Sequence, residues 1–324
     1  MNSVTERFKT SVNTKRFTKL LVAALCFAPT LHAQNSFLDS KDAYLAQPRP
    51  TDTPQIFAPG LLTEPGTFAM DRVAFSLDGK EFYYVQNDAW YTLKNAKMKV
   101  FKFDGHKWVG PAVLNEHHYG QAFSVDGKTL YFMGHNSKQV WMSLRTNDGW
   151  TAPAVFLEEP FVMYDLMPTQ SGTFYLAVES DAEDKKYGLT YSFSTLTLAG
   201  AASTVKSLRR PINEPGSNGD FYVAPDESYM IVSAKVTKTY ESELYISFRK
   251  FDSTWTEPVS LGPKINDGLA HRWGQYVSPD GKYLFYARGT SEKDCAIYWV
   301  RFDDLLKSLR PKQLKAPAGS NSPM

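Results

Sequence analysis

The sequence predicts an all-β protein, a single β-propeller of four-stranded antiparallel blades, and three features predict it. A turn motif between apolar runs recurs along the chain, a Trp-x-x-Pro element recurs between those turns, and the last repeat lacks this element while a spare edge segment precedes the first. The turn is clearest in Tyr276-Val277-Ser278-Pro279-Asp280-Gly281-Lys282-Tyr283-Leu284-Phe285-Tyr286. Asp bonds its own backbone in a turn, Gly takes positive φ without steric cost, and aromatic or β-branched flanks favour strands, so the stretch reads as a hairpin. Close copies lie at Ala74–Tyr84 and Ala122–Phe132, with degraded ones at Ser171-Gly172 and Pro225-Asp226-Glu227. Steps of roughly 45 to 55 residues identify a repeat architecture.

One unit reads as a strand into the turn (Val73–Ser76), a strand out of it (Phe82–Val85), a third strand (Lys97–Phe103) and an edge strand, Trp108-x-x-Pro111-x-x-Leu114. The edge element recurs as Trp150-x-x-Pro153-x-x-Phe156 and Trp255-x-x-Pro258-x-x-Leu261. Proline is tolerated only at a sheet edge or a strand start, which makes this strand the outermost, with its Trp packed between neighbouring units. The third strand recurs at Gln139–Leu144, Leu189–Phe193, Glu243–Phe248 and Ala296–Arg301. Beyond Arg301 the chain enters Leu305–Leu309 without an edge strand, and Ile56–Leu62 supplies it from the N-terminal side. That closure removes exposed sheet edges. Residues 54–310 then hold about five blades, with six as the competing count. The third unit departs most: Ala202 and Val205 stand where the Trp and Pro belong, and Gln170-Ser171-Gly172 has lost the turn Asp.

Residues 1–33 carry Arg7, Lys9, Lys15, Arg16 and Lys19 ahead of the apolar run Leu20–Ala28 and end in Leu31-His32-Ala33. This is the pattern of a secretory signal peptide cleaved near Ala33, and it predicts a periplasmic or secreted protein. Leu25 before Cys26 argues against lipidation. No later stretch approaches the roughly 20 apolar residues of a membrane-spanning helix. The formal charge is +2, but without residues 1–33 the count is 31 Lys and Arg against 33 Asp and Glu, or −2. The basic balance belongs to the leader, so no nucleic-acid partner is expected. Cys295 is the one cysteine outside the leader, which excludes an intramolecular disulfide there. Stability must come from apolar burial, for which 43% apolar residues, with 14% aromatics, are ample. Residues 34–53 read as an extended lead-in, 311–324 as a disordered tail, and the charged run Glu179–Lys186 as a solvated hairpin loop.

The Ser278–Phe285 stretch, and Trp255-x-x-Pro258-x-x-Leu261-x-x-x-Ile265-Asn266 leading into it, resemble the WD-repeat-like Pro-Asp-Gly propeller repeat of TolB and of the propeller halves of prolyl-oligopeptidase-type enzymes. The resemblance covers nearly all of the chain after the leader. It implies a propeller fold and no particular activity, because this scaffold carries many unrelated roles. The Gly-x-Ser-x-Gly nucleophile turn of the peptidases is missing from the sequence, and the resemblance implies a stand-alone propeller.

Residues entering the innermost strands converge on one mouth of a propeller channel. Six or seven residues before each turn stand Asp71 and Arg72, Tyr119 and Gly120, Tyr164 and Asp165, Gly219 and Asp220, and Trp273 and Gly274, with His117, His118, His271 and Arg272 just upstream. Aromatic faces suit stacking, and carboxylates and guanidinium groups suit hydrogen bonding. Arg72, His118, Tyr119, Tyr164, Arg272 and Trp273 are therefore the expected ligand-binding set. The expected function is a non-catalytic module that binds a carbohydrate or an envelope protein. The alternative is a glycan-active hydrolase or lyase with Asp71, Asp165 and Asp220 as catalytic candidates, since two carboxylates suffice to hydrolyse a glycosidic bond. In a third reading these carboxylates only bond neighbouring backbone or the arginines while the aromatics plug the channel. No cofactor and no metal site is expected: His117 and His118 are adjacent, and neighbours on a strand point to opposite faces.

Overall fold

The computed structural model describes residues 35–134, 136–200, 202–214 and 216–314. The expected signal peptide, Cys26, His135 and residues 315–324 of the tail lie outside them. Five four-stranded antiparallel sheets make the five blades of a propeller. Their innermost strands are Phe68–Phe75, Tyr119–Phe123, Met163–Pro168, Ser217–Val223 and His271–Val277. Blade 5 takes its outermost strand from Gln55–Ile56, which pairs with Trp299 and Tyr298, so the N-terminal side closes the ring.

The closing strand is shorter than Ile56–Leu62. Ala58 turns at φ 46°, and Phe57 swings inward against Phe75, Phe82, Phe285 and Trp299. The segment before it is not simply extended: Tyr44 is fully buried against Phe75, Tyr283 and Trp299, and the Arg49 guanidinium lies over its ring while donating to the Ala43 carbonyl. The lead-in thus wedges between blades 1 and 5. Downstream, Lys312–Leu314 form a short 3-10 helix within the segment expected to be disordered.

The turn motif works through its serine as well as its Asp-Gly. Ser76 Oγ donates to Asp78 Oδ1 (2.6 Å) and accepts from Glu81 N–H, while Asp78 Oδ1 accepts from Lys80 N–H. Ser124 with Asp126 and Ser278 with Asp280 repeat the arrangement. The two degraded turns repair one another. Glu227 takes the glycine-like position at φ 59°, and its carboxylate reaches back to Thr169, Ser171 and Tyr175, supplying the acid that the third turn lost.

Trp150 and Trp255 pack between blades as expected. Trp150 Nε1 donates to the Tyr83 hydroxyl of blade 1 (2.9 Å) beneath the Arg145 guanidinium, and Trp255 meets Tyr175 of blade 3 beneath Arg249. Trp108 instead packs on Phe37 and donates to the Asp42 carbonyl, because the lead-in occupies that groove. Pro153 and Pro258 precede their edge strands, Ala154–Glu158 and Val259–Ser260; Pro111 lies inside Trp108–Glu116, where the register slips. A residue without an N–H cannot serve the ladder. In blade 3, Ala202–Ser207 pairs fully without either signature residue, and its partner strand is Tyr191–Ala199 rather than 189–193. The charged run is also more than a solvated loop. Asp181 caps the helix Ala182–Lys185, and buried Asp184 accepts from Ser192, Ser207 and Arg209.

Candidate functional site

Each innermost strand carries a β-bulge at the same depth. Pairing skips between Met70 and Ala74, Tyr119 and Ala122, Tyr164 and Met167, Ser217 and Phe221, and Trp273 and Tyr276. In blades 2, 3 and 5 one extra residue is accommodated, and Gly120, Asp165 and Gly274 lie in the skipped stretches at φ 62°, 55° and 61°. Blade 1 accommodates two, with Asp71 at φ 65°. Left-handed backbone is open to Gly and, among side-chain residues, most readily to Asp and Asn. The bulges therefore decide which residue types face the channel.

The aspartates bracket the blades. Gly120 N–H of blade 2 donates to Asp71 Oδ2 of blade 1 (2.9 Å), Phe221 N–H of blade 4 to Asp165 of blade 3, and Gly274 N–H of blade 5 to Asp220 of blade 4. Arg72, fully buried, crosses the channel: its Nη2 pairs with Asp165 Oδ1 at 3.0 Å and donates to the Phe221 carbonyl. This guanidinium plugs the channel beneath the cavity.

Above it opens a cavity of about 340 Å³ on the face where the innermost strands begin. Asp71 (4% exposed) and Asp165 (3%) lie at its inner end with Asp220, whereas Tyr91 at the rim is 65% exposed. Tyr119, Tyr164 and Trp273 line it as the sequence led one to expect. Tyr164 meets Tyr191 edge-on, with ring centroids 5.1 Å apart. His271 stacks on Trp273 at 4.3 Å, and Trp90 closes against both from blade 1. Trp90 is carried there by a loop that buried Asn87 ties down through the Ala89 and Thr92 carbonyls.

Three expected ligand contacts fall outside the cavity lining. Arg72 lies beneath it in the plug. Arg272 turns away and donates to the carbonyls of Ile265, Ser242 and Gly268 between blades 4 and 5. His118 Nδ1–H donates to the Glu116 carbonyl (2.6 Å), and the ring packs edge-on against Phe132 and Trp141. Trp90, Tyr91 and Tyr191 also line the cavity, from outside the entrances of the innermost strands, where distance to the turn motif carries no signal. The adjacent pair Trp90-Tyr91 in a polar loop between second and third strands, whose tip opens on the same face, was the available signal.

Burial raises the carboxyl pKa of Asp71, Asp165 and Asp220; mutual repulsion adds to this for Asp71 and Asp220, and Arg72 offsets it in all three. Burial pushes His271 down to about 4, so its imidazole is neutral at pH 7. Cys295 is buried and free, its thiol pushed up by burial. Among the described residues no group of three His, Cys, Asp or Glu side chains is placed to hold a metal ion, and no helix is long and apolar enough to cross a membrane.

No protein-family model matches the chain, and no curated protein matches it in sequence. Solved structures similar to it include hydrazine synthase of Kuenenia stuttgartiensis, at 12% identity over 74% of this chain and 60% of that one, with a TM-score of 0.39. TolB from Acinetobacter baumannii aligns at 12% identity over 70% of this chain and 53% of its own, with a TM-score of 0.41. An oligogalacturonate lyase in complex with manganese aligns at 9% identity over 80% and 96%, with a TM-score of 0.42. The chain thus spans little more than half the length of the first two. These are likenesses of fold alone.

Proposed function

We propose that this protein is an exported, non-catalytic binding module that holds a small ligand in the mouth of its propeller channel. The observation that carries the proposal is the aromatic-walled cavity of about 340 Å³ with three aspartates at its inner end. Its size falls in the range of small-molecule sites, and its walls offer stacking faces with a few polar groups to orient a guest. The aspartates are already engaged as brackets between blades, which fits positioning better than free acid and base roles. Export rests on the leader pattern in residues 1–33. A second reading, a glycan-active enzyme, draws on the raised carboxyls, because an acid still protonated near neutral pH can protonate a leaving group.

A thermal-shift screen against oligosaccharides, uronic acids, amines and peptides tests the proposal, since a ligand of the folded state raises the melting temperature by mass action. The expected result is a shift that disappears in Tyr91→Ala, a rim substitution that removes an exposed ring. Stabilisation that survives both Tyr91→Ala and Asp220→Asn, or none with any compound class, refutes the cavity as the site. Release of product from a glycan favours the enzyme.

A further inference from the structure

The cavity's charge is one-sided. Among the described residues three aspartates line it and no lysine or arginine does; Arg72 lies beneath it, paired with Asp165, and exposed Lys235 stands near His271. His271, the one basic side chain on the wall among the described residues, packs flat on Trp273 with Nδ1 3.2 Å from Ser242 Oγ. Asp165 is only 3% exposed, lines the cavity, and its Oδ2 has no hydrogen-bond partner among the described residues. A buried carboxylate oxygen without a donor costs free energy that an incoming N–H recovers. The walls present Tyr119, Tyr164, Tyr191, Trp90 and Trp273, whose ring faces attract cations.

We propose that the ligand is an organic ammonium ion, a protonated primary or secondary amine whose N–H groups meet the aspartates while its carbon skeleton packs on the rings. The proposal rests on the binding role above and names its ligand class. A neutral polyol uses the same rings but leaves the carboxylate charge uncompensated, and an anionic sugar adds to it. The titratable and charged groups around the site are Asp71, Asp165 and Asp220, Arg72 below them, Cys295 near Asp71, Tyr91, Tyr119, Tyr164 and Tyr191 on the walls with Glu292 near Tyr91, and His271 with Tyr240, Lys235 and Glu241 near it. Burial raises the hydroxyls of Tyr91, Tyr119 and Tyr164 and lowers His271, so these groups stay neutral at pH 7 and the carboxyls govern the pH response. Burial holds those carboxyls toward the protonated form, and an ammonium guest favours the ionised one. Binding therefore releases protons and strengthens as pH rises from 5 to 7.

The test is isothermal titration of the full chain with 2-phenylethylammonium and with its neutral counterpart 2-phenylethanol, at pH 5 and pH 7, in two buffers of different ionisation enthalpy. At pH 7 the ammonium is expected to bind at least about tenfold more tightly than the alcohol, with proton release seen for the ammonium alone and a smaller gap at pH 5. Asp220→Asn should weaken the ammonium about tenfold and leave the alcohol unchanged, while Tyr91→Ala weakens both. Equal affinities for the pair, or tighter binding of glucose than of the ammonium, overturn the cationic class and leave the cavity reading standing. Binding of the ammonium that neither Asp220→Asn nor Tyr91→Ala alters overturns the site as well.

Discussion

Gly274→Ala tests the contact that holds Asp71 in place. Gly274 lies at φ 61°, and a Cβ there would stand 2.3 Å from the Asp71 carbonyl carbon, 2.5 Å from Arg72 N and 2.7 Å from the Asp71 oxygen. Gly120 has nearly the same backbone, φ 62°, but its Cβ would meet Asp165 Oδ1 and Met133 Cγ at an ordinary 3.4 Å. Both alanines pay about 1–2 kcal/mol for left-handed backbone. Only Gly274→Ala adds a collision with the backbone of blade 1, which cannot rotate away, at about 1–3 kcal/mol more. Equilibrium urea denaturation should therefore show a loss of about 1–2 kcal/mol for Gly120→Ala and about 2–5 kcal/mol for Gly274→Ala. Equal losses would refute the close approach of blades 5 and 1, and with it the account of how Asp71 is positioned under the cavity.

Asp165→Asn strands the Arg72 guanidinium without its ion partner in a fully buried site and should cost about 3 kcal/mol by the same assay; a loss near zero would mean that water reaches the pair and the channel is not plugged. His271 has a folded pKa depressed to about 4, so the folded state resists the proton that the unfolded chain accepts. Stability from this group is whole above the unfolded value near 6.5 and is lost as pH falls toward 4, by about 2 kcal/mol between pH 7 and 5. The raised carboxyls act in the opposite direction in wild type and variant alike, so denaturation of His271→Gln should show an acid limb flatter by that amount.

The blade order could be read from sequence because turn chemistry is local: a serine, an aspartate and a glycine within five residues close a hairpin wherever they occur, and their spacing counts the blades. Compensation across blades could not be read that way. Glu227 looks like damage to its own turn until the fold sets it beside Thr169 and Ser171. The site was legible to the same degree. Asp71, Asp165 and Asp220 follow from their distance to each turn, yet the fates of Arg72 and Arg272 depend on strand register. The two-residue bulge of blade 1 sends Arg72 across the channel, whereas Arg272 precedes the bulge of blade 5 and faces the blade 4 loop. Trp90 and Tyr91 come from a loop that no other blade repeats, so periodicity carries no information about them.

Bracket and binding group are not competing descriptions of the channel aspartates. A bulge that demands positive φ admits glycine or aspartate at little cost; glycine appears in blades 2 and 5, and at Gly274 of blade 5 the neighbouring backbone leaves no room for a Cβ. Aspartate adds an acceptor that ties one blade to the N–H of the next. That tie needs one oxygen, and a carboxylate has two. At Asp165, Oδ1 pairs with Arg72, while Oδ2 is buried with no hydrogen-bond partner among the described residues, on a side chain that lines the aromatic-walled cavity. The geometry that closes the ring therefore also gathers three carboxyls at its mouth, and a guest that brings donors and positive charge to them gains from an arrangement whose first role is to hold five blades together.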